Sequence, residues 1–349
     1  MTIEHNGLIV IGENFNTSRK IKGSSPRVFK EEEKYFLKYT DLDGKEGSLD
    51  ITDGFPEEPD EQKKFMIPHI THAVKNDDKN YINWIVKNQE KNGAHFIDLC
   101  VDEISYYPEE RLEWMQAAVK IMQSMTKKPI ALDSSDSETI KVGLEVYDRS
   151  ISRPAINSVN LEPPRLPLIQ MAKEMDTYLF ANAGGADGMP ADDKERTENL
   201  VALMDMMDEA DIPMDDRYLD PLVFPIGANP QFGNHYLDSV STLRKKYPDV
   251  HIFGGHSNAS FGLPGRKVLN NAFISLSVHN GCDSVMIDPV MNSINGIDAT
   301  SVARRMESLE DPNEKDDPEV VEFRLGVDVL TGKDDFSMNF IQYWRSKDS

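Results

Sequence analysis

Short runs of apolar residues alternate along the chain with longer stretches in which apolar residues recur at helical spacing. The short runs are rich in Val, Ile and Phe, which is typical of strands buried on both faces. They predict eight strands, at residues 8–11, 95–99, 130–132, 155–156, 177–181, 218–219, 251–253 and 284–287. The longer stretches predict intervening helices, at residues 79–92, 108–124, 137–146, 164–174, 192–210, 236–246, 264–280 and 298–308.

This alternation of strand and helix predicts an α/β protein with a parallel sheet. Eight repeats are the number that closes into a barrel, so the expected fold is a (β/α)8, or TIM, barrel. An open doubly wound sheet is the alternative, but no GxGxxG turn follows the first strand to favour it. Gly93 and Gly281 directly follow two predicted helices, as capping glycines do.

Two segments fall outside the repeat, and we expect both to belong to a single domain of residues 1–349. Residues 20–77 separate the first strand from the first helix and form a charged insertion, with a hairpin predicted around Gly44. Residues 310–349 form a C-terminal extension, with helices predicted at 318–330 and 335–345. Such additions suit a chain of 349 residues, because barrels of this type take about 250.

The chain is strongly acidic, with 60 Asp and Glu residues against 38 Lys and Arg and a net charge of −22. Such a surface repels nucleic acid and anionic membranes, so neither is an expected partner. Two cysteines cannot form a disulfide framework, and the first residues lack the basic segment of a signal peptide. No run approaches the ~20 apolar residues that span a bilayer, so we expect a cytoplasmic protein.

Polar residues, most often Asp or Asn, stand at the end of nearly every predicted strand. Because the carboxyl ends of barrel strands converge on one mouth, we expect these side chains to line one site with almost no Lys or Arg. Such a site suits a ligand rich in N–H donors, such as a 2-amino-4-oxopterin. Helix capping and turn formation are the alternative for each residue singly, and are preferred for Asp136. The strand-end segments are 12–16, 98, 133–135, 157–158, 182, 220–221, 254–258 and 288–289.

Two other motifs receive structural interpretations. His69 and His72 have the spacing of metal ligands, but no cysteine lies nearby, and we expect no bound metal. Residues 249–254 read DVHIFG, which matches the DxHxxG signature of cobalamin-binding domains. The match overlaps the seventh predicted strand, and no separate domain of ~100 residues follows it, so we expect His251 to be a strand residue.

Five blocks of sequence resemble, in order, those of one enzyme family. They are GENFNTSRK, ALDSSD, INSVNLE, YLDPLVFPIG and GGHSNASFGLPGRKVLNNAF. The family is methyltetrahydrofolate:corrinoid methyltransferase, related to the pterin-binding module of cobalamin-dependent methionine synthase and to dihydropteroate synthase. The resemblance covers residues 7–19 and approximately 80–300, and its SNASFGLPxR block is the most specific.

The resemblance implies an enzyme that moves a methyl group between N5 of tetrahydrofolate and the cobalt of a corrinoid. The corrinoid would be carried by a partner protein, and the enzyme itself would be a homodimer. Asn258 would be the catalytic residue, hydrogen-bonded near N5. The other implied contacts of the folate, most of them to its pterin ring, are Asn16, Asp98, Asp133, Asn157, Asp220, Ser257, Arg266 and Asp288.

The chain departs from the family pattern in three places, and these leave two alternatives open. Asn14 stands where the family usually has arginine, the fifth-strand segment reads FANAGGADGMP, and residues 20–77 are absent from compact members. The alternatives are a corrinoid-dependent methyltransferase for a different methylated substrate and a non-catalytic pterin-binding subunit. Dihydropteroate synthase activity is disfavoured, because the segment IDPVMNSINGID carries no Lys or Arg to hold a pyrophosphate.

Overall fold

The computed structural model describes residues 7–292, 294 and 297–347. Eight strands form one sheet whose order follows the chain from the seventh strand back to the first, with the eighth beside the first. The strand pairs are parallel. In chain order these barrel strands are Ile9–Asn16, Phe96–Cys100, Ile130–Asp133, Ala155–Val159, Tyr178–Asn182, Arg217–Asp220, His251–Ile252 and Ser284–Ile287.

The two ends of this strand order are joined. A parallel bridge between Gly255 and Met286 links the segment after the seventh strand to the eighth strand. A doubly wound sheet would reverse its strand order at a switch point, and the order here runs without reversal. The predicted (β/α)8 fold is therefore confirmed, and the open-sheet alternative is wrong.

A helix follows each barrel strand, and most begin within one residue of their predicted starts. The fourth helix begins at Pro167 rather than at residue 164, because Pro164 lies in a turn and Pro167 occupies the first helical turn, where its missing N–H costs nothing. The eight helices are Lys79–Lys91, Pro108–Gln123, Ser137–Glu145, Pro167–Met175, Asp193–Glu209, Phe232–Lys246, Arg266–His279 and Ala299–Ser308.

Two other helix starts differ from the prediction because glycines are involved. The helix predicted from residue 236 begins one turn earlier, at Phe232, and includes Gly233, a weak helix former. A Cβ at Gly233 would overlap the backbone of Leu330, so tertiary packing requires glycine there. The helix predicted from residue 264 begins after Gly265, which has a left-handed backbone with φ 59°.

The first barrel strand is longer than predicted. Its second half is polar, so the apolar run by which the strand was predicted ends at Ile11. The strand continues through Glu13 and Asn14 to its last residue, Asn16. The N–H of Asn14 donates to Gln89 Oε1 at 2.9 Å, and a Cβ at Gly12 would overlap the same oxygen. Glycine at position 12 therefore lets the Gln89 amide approach the strand.

The chain divides into two compact units, residues 12–157 and the remainder, and each is described by itself. The first unit includes the 20–77 segment, which holds a three-stranded antiparallel sheet of Val28–Glu31, Lys34–Thr40 and Glu46–Asp50. Gly44 lies in the turn between the last two of these strands with φ 81°. The predicted hairpin is present. The segment also contains the strand pair Ile21–Lys22 and Met66–Ile67 and the helices Pro59–Lys64 and His69–Lys75.

The second unit includes the C-terminal helices. Pro318–Leu330 packs on the helix Arg266–His279, and Met338–Lys347 follows a short 3-10 turn. Residues 348–349 of the predicted extension lie outside the described residues. Within the described ranges, no helix is long and apolar enough to cross a membrane.

Gly281 follows the helix Arg266–His279 and provides a test of how closely the chain there packs against Arg244, on the helix Phe232–Lys246. Its φ is 112°, and a Cβ there would lie 2.8 Å from Arg244 Cγ, whereas Gly44 shares the positive φ with nothing within 4 Å. Gly281→Ala should lower the free energy of unfolding by about 2 kcal/mol or more, and Gly44→Ala by about 1 kcal/mol, in urea titrations. Equal losses would show that the contact with Arg244 contributes nothing.

Candidate functional site

Three predicted site residues come together in the unit of residues 12–157. Asn157 Nδ2 donates to Asp98 Oδ1 at 2.9 Å, and Asp133 and Asn157 are paired neighbours on adjacent strands. Asp98 is 2% exposed. Burial and the nearby charge of Asp133 raise the pKa of Asp98 well above its ordinary value, more than the hydrogen bond from Asn157 lowers it. Asp98 therefore keeps a proton at a pH at which an exposed carboxyl group has lost it.

The end of the first barrel strand carries a cation that the pattern of strand ends did not predict. Arg19 Nη1 donates to Asn14 Oδ1 at 3.0 Å and lies 3.8 Å from Glu13 Oε1. Asn16 Oδ1 accepts from the Ser18 N–H at 2.8 Å and so forms the turn that precedes Arg19. A guanidinium group thus lies beside position 14, although residue 14 itself is not arginine.

In the other unit, Asp220 ends the sixth barrel strand in a half-buried position. Its Oδ1 accepts from the N–H of Leu222, whose φ of 67° is left-handed. Burial raises the pKa of Asp220 to about 7, and the Leu222 N–H and the positive charge of Arg196 offset only part of that effect. The Asp220 carboxylate can therefore gain or lose its proton near neutral pH.

Arg196 is the second basic residue that sequence reasoning missed. It lies on the helix Asp193–Glu209, is fully buried, and has its guanidinium carbon 4.7 Å from the centre of the Phe224 ring. None of its side-chain nitrogens has a hydrogen-bond partner in the described part of the chain. Burial lowers the pKa of Arg196, and nearby negative charges, that of Asp220 most strongly, offset only part of this effect. A helix residue gives no strand-end signal by which it could have been found.

The predicted catalytic residue, Asn258, lies on the loop after the seventh barrel strand. Its side chain is exposed and makes no hydrogen bond to any described residue, and a Cβ at Gly255 would lie 2.9 Å from its Nδ2. Arg266 braces this loop, because its Nη2 donates to Ser257 O at 2.9 Å and its Nε to Ser260 Oγ at 3.0 Å. The loop therefore presents the Asn258 amide on a fixed backbone.

Two strand-end residues are engaged by their own loops. Asp288 is 7% exposed, and its Oδ1 accepts from the N–H groups of Val290 and Met291, both at 3.0 Å. The Asp288 carboxylate thus forms the turn after the eighth strand. Asn182 behaves similarly, since its Oδ1 accepts from the Gly184 N–H at 2.9 Å.

His69 and His251, from the two histidine motifs, both contact other side chains of the protein. His69 Nδ1 lies 3.0 Å from the Tyr81 hydroxyl, and burial lowers the pKa of His69 to about 3. Among the described residues, no three His, Cys, Asp or Glu side chains form a group that could hold a metal ion. His251 stacks on Tyr218 with 4.5 Å between ring centres, and its Nδ1 lies 2.8 Å from Asp283 Oδ2. His251 is therefore a residue of the barrel wall.

These features define a (β/α)8-barrel protein whose strand ends carry carboxyl and amide groups. The chain belongs to the pterin binding enzyme family, whose model matches residues 71–288. The predictions of a pterin-binding family and of an enzyme are thereby confirmed.

Individual relatives include two named methyltransferase systems. The chain is 28% identical over 234 residues to methylcorrinoid:tetrahydrofolate methyltransferase of Eubacterium limosum, covering 66% of this chain and 84% of that protein. It is 31% identical over 218 residues to methionine synthase of Mycobacterium tuberculosis, covering 58% of this chain but only 18% of that protein. Dihydropteroate synthase from Stenotrophomonas maltophilia superposes with a TM-score of 0.50 at 15% identity, covering 68% of this chain and 89% of that one. This last likeness shows the fold alone.

The raised pKa of Asp220 predicts a pH-dependent gain in stability from Asp220→Asn. Above pH 7 the folded protein holds a disfavoured charge at Asp220, whereas between pH 4 and 7 the folded state takes up a proton and the cost disappears. Asp220→Asn should therefore raise Tm by about 2–5 °C at pH 8, and the difference should vanish towards pH 4–5. Calorimetric scans would measure it, with the exposed Asp238→Asn as the matched charge control. A lower Tm for Asp220→Asn at pH 8 would show that the charged carboxylate stabilises the folded protein, contrary to this expectation.

Proposed function

We propose that the chain is a methyltransferase that moves a methyl group between N5 of tetrahydrofolate and the cobalt of a corrinoid on a partner protein. The observation that carries this proposal is Asn258, an exposed amide with no hydrogen-bond partner in the described chain, held on a braced loop. The chain that carries this residue belongs to the pterin binding enzyme family. The name of the Eubacterium limosum relative contains both reactants, and the match covers most of that protein.

Carboxylate and amide acceptors are proposed to bind the pterin ring. A carboxylate such as Asp133 or Asp220 can accept from the pterin N3–H and 2-amino group together. Asp98 accepts the amide hydrogen of Asn157, which fixes the orientation of that amide and directs its oxygen to act as the acceptor for the ligand. Ser257, Asn16, Arg266 and Asp288 remain proposed contacts of the folate, although each also bonds within its own loop.

The chemistry requires a proton at N5. When the bond between N5 and the methyl carbon breaks, the electron pair stays on nitrogen, so a neutral N5 is a poor leaving group. Asn258 can hydrogen-bond N5 and stabilise its protonated form, but an amide cannot supply the proton. In the pair of Asp98 and Asp133, burial of Asp98 and the negative charge of Asp133 favour a proton on Asp98, whose pKa is raised well above its ordinary value. We assign the proton reservoir to this pair.

The proposal includes a cellular setting and an assembly. The protein would act in the cytoplasm as a homodimer, would meet a corrinoid protein and would bind no metal of its own. These expectations come from the family resemblance and from the composition of the chain. Light scattering on the purified protein would measure the mass of the assembly directly.

Asn258→Ala tests the proposal. Because hydrogen bonds to a developing charge commonly contribute 10²–10³ in rate, the variant should transfer methyl groups from methyltetrahydrofolate to cob(I)alamin about 100-fold more slowly. Its dissociation constant for methyltetrahydrofolate should change by less than about tenfold. Absorbance would follow transfer, and calorimetry would measure binding.

The matched control is Asn339→Ala, which removes an exposed asparagine amide from the last helix. An unchanged rate in Asn258→Ala would exclude the catalytic role of that residue. Folate binding by the wild-type protein without any transfer would favour a non-catalytic subunit. Absence of folate binding would favour a different methylated substrate.

A further inference from the structure

We propose that Asp102 is a positioning residue that fixes the orientation of the Asp133 carboxylate by holding Ser134 and Ser135, the two residues that follow it. The inference rests on the proposed role of Asp133 in binding the pterin. Asp102 stands two residues after the second barrel strand and belongs to none of the sequence blocks that resemble the family.

The Asp102 carboxylate accepts three hydrogen bonds from this short segment. Its Oδ1 accepts from Ser134 Oγ at 2.6 Å. Its Oδ2 accepts from the Ser135 N–H at 2.8 Å and from Ser135 Oγ at 2.7 Å. Hydrogen bonds to an ionised acceptor are shorter and stronger than those between neutral groups. The segment is therefore held by both oxygens of one carboxylate.

These bonds complete the restraint of Asp133. Asp133 itself is held by strand pairing, with Cys100 and Asn157 as its neighbours in register. The next residue, Ser134, is 2% exposed, and its N–H donates to Asn157 O at 3.3 Å. With Asp102 holding the Ser134 hydroxyl, Asp133 is restrained on both sides along the chain.

Stability alone does not account for a carboxylate at position 102. Burial raises the pKa of the Cys100 thiol, and the negative charges of Asp133 and Asp102 raise it further, so both carboxylates lie near that thiol. Adding a third acidic group near Asp98 and Asp133 carries an electrostatic cost. An asparagine would avoid that cost, but an amide can accept through only one of its two terminal atoms. Accepting all three hydrogen bonds at once requires the carboxylate, because an amide in its place would have to donate to one serine hydroxyl.

The start of the following helix depends on a different residue. Asp136 caps the helix Ser137–Glu145, since its Oδ2 accepts from the Thr139 N–H at 3.0 Å and from Thr139 Oγ1 at 2.8 Å. The hydrogen bonds of Asp102 are thus directed to Ser134 and Ser135. The Asp136 N–H also donates to Ser134 Oγ at 3.1 Å, a backbone contact that a change of the Asp136 side chain leaves in place. Asp136 is therefore a matched control in the same stretch of chain.

The experiment compares Asp102→Asn with Asp136→Asn in the full-length protein. For Asp102→Asn we expect the KM for methyltetrahydrofolate and its calorimetric dissociation constant to rise about tenfold, with kcat changed by less than about threefold. Asp136→Asn removes a negative charge from the same stretch, and because asparagine caps a helix about as well as aspartate, it should leave the dissociation constant within about twofold of wild type. In a background of Ser134→Ala with Ser135→Ala, Asp102→Asn should weaken binding by less than it does in the wild-type protein, because two of the three donors to Asp102 are already gone and only the backbone N–H of residue 135 is left.

Three outcomes would overturn the inference alone: normal folate binding by Asp102→Asn, equal losses of affinity in Asp102→Asn and Asp136→Asn, or a full additional loss in the serine background. Absence of folate binding by the wild-type protein would overturn the proposed function, and this inference with it.

Discussion

A buried carboxyl group, Asp98, with a second one, Asp133, close enough to raise its pKa, is the constraint around which one unit of this protein is arranged. Asp98 is buried, and the neighbouring charge of Asp133 raises its pKa further. Two neighbouring groups act on Asp98. Asn157 donates a hydrogen bond to it, which lowers its pKa. Glu13 raises its pKa, and Arg19 lies beside Glu13. Such a pair can accept hydrogen bonds from a ligand and still retain a proton.

The other unit also contains a carboxyl group whose pKa is raised by burial, Asp220, but its neighbours are different. Asp220 has one N–H donor and a buried arginine whose guanidinium packs on an aromatic ring instead of forming hydrogen bonds with the described residues. The result is a carboxyl group that titrates near neutral pH. Such a group destabilises the folded protein when it is charged, which is the usual signature of a residue kept for function. Each unit thus contains a carboxyl group whose pKa is raised by burial.

The fold could be predicted because each buried strand is a short apolar run, and errors arose where that signal fails. Glu13 and Asn14 concealed the second half of the first strand, and Gly233 concealed the first turn of a helix whose packing requires it. The site was predictable only where it uses strand ends. Arg19 follows a turn in one unit and Arg196 lies on a helix in the other, so no pattern along the sequence marks them. The loop bonds of Asp288 could not be distinguished from ligand contacts before the structure was known.

Binding of a methylated folate through the strand-end carboxylates is the central claim made for this member of the family. Calorimetric titration of the purified protein with methyltetrahydrofolate, repeated with Asp220→Ala, tests it most directly. We expect a dissociation constant in the micromolar range for the wild-type protein and loss of measurable binding in the variant. No binding by the wild-type protein, or equal binding by both, would contradict the claim.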